Sequence, residues 1–216
     1  ADNDLLQVSS YEDGATGYPI IVAKTANYSW HFVMVGGQAY FVTPSGTPVR
    51  LEKIESIGFE NNQDFATYRG YIWSRTFPML KDTILVGNGA DTYCIYFPHD
   101  DFAGRYNIKY FTDQKNIVVD KPHNMYLGTA VNTGVVSMAA LVLVYGIYLF
   151  ESAKVYRKHT FTSFKDYIGM GICIAVAGFM VSGLVNDSTV QMMPVVYAFM
   201  GMGFAINRIV LKEKEK

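Results

Sequence analysis

Asp120-Lys121-Pro122-His123-Asn124-Met125-Tyr126-Leu127 is the seam of this chain. Before it, charged side chains are scattered through every segment. After it, from Met125 to Phe150, there is no Asp, Glu, Lys, Arg or His. An uncharged run of that length is enough to cross the roughly 30 Å hydrocarbon layer of a bilayer. His123 and Asn124 therefore stand where water gives way to lipid. Pro122 suits the place, because proline fixes its own φ, lacks an N–H donor and favours the start of a helix. On position alone, His123 reads equally well as an ordinary polar residue of the interface.

Working outward, the chain divides into unlike halves. Residues 1–124 hold 14 acidic and 10 basic side chains, and residues 125–216 hold 5 and 8. The first half is long enough for one modest extracytoplasmic domain, 1–124. It has no basic excess, so nucleic acid is not an expected partner. The second half reads as three membrane spans within 125–211, drawn at Met125–Phe150, Tyr167–Asn186 and roughly Ser188–Asn207, with a tail at 212–216. The connector carries Lys154, Arg157, Lys158 and Lys165, and the chain's end carries Arg208, Lys212, Lys214 and Lys216. The turn at Asn186-Asp187-Ser188 has no Lys or Arg. By the positive-inside rule the connector and the C-terminus are cytoplasmic, and the Asp187 turn lies outside with residues 1–124. Cys94 and Cys173 fall in different halves and are not expected to pair. A chain that starts at Ala1 with no signal sequence, yet must deliver residues 1–124 across a membrane, is expected to be the C-terminal part of a longer membrane protein.

Within the first half, residues 1–19 read as a loose lead-in. Pro19–Ala23, Tyr28–Val35, Gln38–Thr43 and Val49–Ile54 suggest a small antiparallel meander, turned at Gly36-Gly37 and at Pro44-Ser45-Gly46-Thr47. A helix is expected to begin after Asn61-Asn62, with Asp64 in its first turn, and to stop before Pro78. Arg69 and Trp73, spaced i, i+4, share one face of it, whereas Arg75 lies well round the helix. A second short helix is expected over Met79–Thr83 and a helical turn over Asp91–Tyr96. Phe102–Lys121 has no clear period and reads as an outer loop.

Four groups of residues could carry chemistry. Arg69-Gly70-Tyr71-Ile72-Trp73 places an arginine on an aromatic helix, which in most proteins is a surface arginine stacked on a tryptophan. Gly87-Asn88-Gly89-Ala90-Asp91-Thr92 could cradle a phosphate, but it lacks the lysine of a P-loop and reads more simply as a turn. His123-Asn124 is the third. His99-Asp100-Asp101 could bind a metal, but nothing nearby completes a ligand set and a solvated loop is the better reading.

Taken in order, these residues are more specific than any one of them. An Arg-x-x-x-Trp helix, a Gly-x-Gly-x-Asp loop and a His-Asn-x-Tyr-Leu entry into a membrane helix resemble the O-antigen ligase and polymerase superfamily. The likeness covers about residues 60–210 and includes Gly183-Leu184-Val185-Asn186-Asp187-Ser188, which looks like the version found in Gram-positive bacteria. It implies an α-helical integral membrane protein, with three transmembrane helices and a small α+β extracytoplasmic domain, forming part of a larger polytopic fold. It implies an inverting glycosyltransferase of cell-surface polysaccharide assembly that needs no metal or other cofactor. Such an enzyme moves a glycan from an undecaprenyl-diphosphate carrier to the hydroxyl of a glycan, lipid or protein acceptor, and should be inactive as this segment alone. Carried over by motif, the family's diphosphate-binding arginine falls on Arg69 and its base on His123. Arg75 matches only part of the family.

The chemistry agrees with the residue types. The carrier's diphosphate lies in the headgroup layer, where a guanidinium can give paired hydrogen bonds to phosphate oxygens. Negative charge grows on that diphosphate as the glycosidic bond breaks, and a fixed positive charge lowers the barrier. An attacking hydroxyl needs a proton acceptor, and an imidazole, with an unperturbed pKa of about 6.5, suits the task. Asn124 could orient the ring or contact a sugar, and Trp73, Tyr71 and Tyr126 could stack on sugar rings. Ligase and polymerase differ only in the acceptor. A non-catalytic surface domain anchored by three helices is the competing reading, and it requires Arg69 and His123 to lie far apart. A glycan transporter fits least, since the spans carry almost no polar groups to line a path.

Overall fold

A computed structural model describes residues 6–14, 17–24, 29–43, 46–106 and 117–214. They form two compact units, Ala1–Ile54 with Asp100–Asn107, and Glu55–His99 with Ile108–Lys216. The first unit is an antiparallel sheet in chain order: β1 (Gln7–Glu12), β2 (Pro19–Lys24), β3 (Ser29–Val35), β4 (Gln38–Val42) and β5 (Pro48–Val49). Gly36 and Gly37 both take positive φ, as a two-residue hairpin turn requires, and set Val35 opposite Gln38. Phe32 then faces Phe41, with ring centres 5.9 Å apart, and Phe41 also meets Phe102 at 5.3 Å.

The meander is larger than its sequence suggests. Residues 7–12, expected as lead-in, pair with β2. The strand expected over Val49–Ile54 is only Pro48–Val49. Part of the expected outer loop is helical, at Phe102–Tyr106. Tyr28, Pro44 and Ser45 of the expected strand and turn, and 107–116 of that loop, lie outside the described residues.

The second unit begins with α1 (Phe65–Met79), which departs from expectation at both ends. Ala66, Thr67 and Tyr68 have φ of 49°, 61° and 66°, so a left-handed turn precedes the regular helix, which starts at Arg69. A threonine there is costly for its branched Cβ. Gly70 lets the preceding segment close on the helix, because a Cβ would strike the Asn62 carbonyl. At the other end Pro78 is inside the helix rather than beyond it. Its missing N–H leaves the Ser74 carbonyl free, and the Ile57 amide fills that place at 2.9 Å. Residues 80–83, expected as a second helix, are turns bonded three residues back. Then come α2 (Tyr93–Tyr96) and, in the first unit, α3 (Phe102–Tyr106). The face of α1 opposite solvent joins Tyr71, Ile72, Tyr93, Phe97, Val119 and Val131 in one core.

Four helices follow: α4 (Met125–Thr133), α5 (Val135–Tyr156), α6 (Phe164–Ser182) and α7 (Met192–Lys214). The last three are long and apolar enough to cross a membrane. They match the three expected spans in number but shift their limits, and the first is not the single rod Met125–Phe150. Gly134, at φ 112°, breaks it. The three spans pack around Tyr145, Tyr148, Ile172, Val176, Val196 and Met200, with Met125 of α4. Gly203 makes room for the Tyr148 ring and Gly169 for that of Tyr156. Buried Asn207 donates to Ser152 Oγ at 2.9 Å, a polar clasp between α7 and α5.

Candidate functional site

The turn before α4 is built by Asn124. Its backbone is extended, and its side-chain oxygen accepts the Tyr126 and Leu127 amides at 3.0 and 2.9 Å, as an N-cap does. Its amide nitrogen donates to the Leu184 carbonyl at 2.9 Å. Both ends of the side chain are thus committed to holding α4 against the loop after α6. Tyr126 adds to that joint, its hydroxyl donating to the Met180 carbonyl at 2.8 Å, as does the Met125 amide to Gly183 at 2.8 Å.

His123 stands on this turn with φ of 51°. Left-handed backbone is uncommon outside glycine, though histidine is among the residues enriched there. Its Nδ1 lies 3.0 Å from Oδ2 of Asp187, and the other oxygen of Asp187 accepts the Asn124 amide at 3.3 Å. One carboxylate therefore positions both the ring and the backbone beside it. The His123 side chain is 44% exposed and that of Asp187 only 16%. Among the described residues, Nε2 of His123 takes no hydrogen bond, and with Nδ1 beside the carboxylate it is the ring nitrogen that faces away.

Arg69 opens the regular part of α1. Its Nη1 donates to the Ala66 carbonyl at 2.7 Å across the left-handed turn, while Nε is buried and unpaired among the described residues. Trp73, one turn on, donates its indole N–H to the Pro122 carbonyl at 2.7 Å. The α1 face that carries Arg69 is thereby bonded to the residue next to His123. Phe59 and Phe65 pack on the same indole. The other candidates look elsewhere: Tyr71 is wholly buried, and Arg75, 6% exposed, lies 4.3 Å over its ring and bonds Ser74 Oγ.

A cleft of about 420 Å³ opens next to this turn, lined among others by Tyr93, Asp120, Lys121, Asn132, Asp187 and Tyr197, with Asp187 as its link to His123. Neither His123 nor Arg69 lines it. The Tyr93 hydroxyl lies 2.6 Å from Thr76 Oγ1. Burial, aided by the Asp187 and Asp120 charges, raises its pKa far above the ordinary phenol value, so it stays protonated.

The glycine loop has a structural task. The amides of Asn88 and Gly89 donate to the carbonyls of Val131 and Asn132 at 2.9 Å each, which leaves neither for a phosphate. His99 has Nε2 2.8 Å from the Cys94 carbonyl, and Asp101 accepts the Gly104 amide at 2.9 Å.

Compared with protein families, residues 18–142, more than half of the chain, match the family described as O-antigen ligase. The chain belongs to the O-antigen ligase family. Neither curated proteins nor solved structures gave a match. Membership makes this a part of a membrane enzyme family that works on lipid-linked glycans.

Asp187 is not among the candidate site residues read from the sequence; it enters there as part of the Gly183–Ser188 resemblance and as a mark of the spans' orientation. A signal was present. Asp187 is the lone charge between two uncharged runs, 167–186 and 188–207, and His123 stands at the mouth of another.

Proposed function

We propose that this chain carries the base and the diphosphate-binding arginine of an inverting membrane glycosyltransferase. It transfers a glycan from an undecaprenyl-diphosphate carrier to an acceptor hydroxyl on the outer face of the cytoplasmic membrane. The acceptor oxygen attacks the anomeric carbon, the bond from that carbon to the diphosphate oxygen breaks, and the hydroxyl proton passes to Nε2 of His123. Asp187 holds the ring and stabilises the imidazolium that forms. Arg69 offers N–H donors to the diphosphate as its charge grows. Arg75, stacked over Tyr71, keeps α1 in shape, and Asn124 and Trp73 hold the two halves of the site in register, with the exposed part of the Trp73 ring and Tyr126 left for sugar contact. Residues 1–124 stand outside, with the C-terminus in the cytoplasm.

The observation that carries this reading is the His123–Asp187 pair on a turn bonded, through Trp73 and Pro122, to the Arg69 face of α1. An anchored domain without catalysis has no need of an oriented imidazole with one free nitrogen at a lipid boundary. The test uses the full-length enzyme in nanodiscs, defined lipid-linked oligosaccharides and mass spectrometry of the products. His123→Ala and Arg69→Lys should each abolish transfer while membrane insertion is kept. Transfer at the wild-type rate by the double variant would falsify the roles. Chain-lengthened products would make the activity a polymerase, and single additions to a distinct acceptor a ligase.

A further inference from the structure

The segment Thr83–Gly89 wraps the break between α4 and α5. Asn88 and Gly89 supply donors to the carbonyls of Val131 and Asn132, which the end of α4 leaves unpaired. From its other arm, the carbonyls of Thr83 and Ile84 accept the amides of Val135 and Val136, at 2.9 and 3.2 Å, which the start of α5 leaves unpaired. Gly87 and Gly134 permit the contact: a Cβ on Gly87 would strike the Asn132 backbone, and one on Gly134 would sit 2.8 Å from the Leu85 carbonyl. Satisfying these four freed groups with protein, not water, is what a chain needs where a helix breaks at membrane depth.

Between the two arms the tip is Ile84-Leu85-Val86, and these side chains are 54%, 76% and 77% exposed. Three consecutive large apolar residues directed outward would be a liability in water. Their height is fixed by the bonds to Val135 and Val136, which open a spanning helix; Val136 is itself 55% exposed. The uncharged part of that helix, Val135–Phe150, rises only about 24 Å, roughly 6 Å short of a typical hydrocarbon layer. Glu151 marks one end of it, so the Val135 end, with the tip bonded beside it, lies inside that layer, and uncharged α4 spans the remainder.

The geometry points to a membrane-inserted hairpin: Ile84, Leu85 and Val86 bury their side chains among lipid acyl chains at the Val135 end of α5. The loop then anchors the end of α1 to the bilayer beside the site, at the depth where the helix breaks. This is independent of the catalytic roles, and its readout needs no activity.

The experiment is spin-label accessibility on the full-length protein in phosphatidylcholine–phosphatidylglycerol liposomes, in a Cys94→Ala, Cys173→Ala background. Leu85→Cys carries the label, with Val86→Cys as the second variant should the first fail to insert. Val144→Cys, on an exposed side in the middle of α5, and exposed Glu60→Cys give the lipid and water references. The expected result is oxygen accessibility at Leu85 matching Val144, with collision by a water-soluble nickel chelate at least five-fold below that at Glu60. Water-like accessibility at both tip positions overturns the proposal. So does low accessibility to both reagents, which would mean a protein segment covers the tip, or spin–spin broadening, which would mean a second copy does.

Discussion

Nδ1 of His123 and Oδ2 of Asp187 are 3.0 Å apart, although one residue precedes α4 and the other follows α6. The contact fixes which ring nitrogen faces away, and in the proposed mechanism that nitrogen takes the proton. Asp187→Asn should leave the turn in place, since an amide oxygen can still accept from the Asn124 amide, but it removes the charge that stabilises an imidazolium. We expect the turnover rate to fall by about 10²-fold or more with little change in donor KM, measured as initial rates of glycan transfer. Wild-type turnover in Asp187→Asn would reduce the pair to a structural contact.

The two arginines of α1 should respond differently to lysine. Arg69 has a buried Nε with no partner among the described residues, and its proposed role is a forked contact with diphosphate. Arg69→Lys should keep the melting temperature and lose transfer. Arg75 is packed on Tyr71 and bonded to Ser74, so Arg75→Lys should instead lower stability by about 1–3 kcal/mol. Residual activity per folded molecule should stay near wild type. Comparing thermal unfolding with specific activity separates them, and the reversed pattern would exchange their roles.

Trp73→Phe tests the bond between the arginine helix and the histidine turn. A phenylalanine keeps the ring contacts with Phe59 and Phe65 but cannot donate to Pro122. Loss of one such hydrogen bond costs about 1 kcal/mol of stability. If the bond also aligns the two halves of the site, kcat should fall several-fold while donor KM moves less than two-fold. A change in stability alone would confine Trp73 to packing.

Much of this arrangement can be read in the chain, and what cannot has physical causes. Long uncharged runs announce the spans, and Gly36-Gly37 between aromatic, β-branched runs announces the central hairpin. β1 is silent because every residue of Gln7–Glu12 is exposed, so it has no buried face to impose a period of two. The left-handed turn at Ala66-Thr67-Tyr68 carries no glycine or asparagine to mark it. Arg69 and His123 are visible as residue types at fitting places. Their connection is not, because it runs through an indole N–H and a backbone carbonyl 49 positions apart.

The least legible feature, the break at Gly134, also gives the clearest contrast. Glycine is common in membrane helices, so Gly134 and Gly146 look alike in sequence. Gly146 lies within α5, where a methyl placed on its Cα would have nothing within 4 Å. Gly134 has φ of 112°, and the same methyl there would sit 2.8 Å from the Leu85 carbonyl. Gly146→Ala should be silent in stability and transfer. Gly134→Ala forces an L-residue into a backbone region open almost only to glycine, at a cost of about 1–3 kcal/mol, before the clash with the loop is counted. The variant should loosen the Thr83–Gly89 arm, with faster amide exchange at Asn88, Gly89, Val135 and Val136 and a lower melting temperature. Equal exchange rates at those four amides in Gly134→Ala and wild type would show that the break does not depend on glycine.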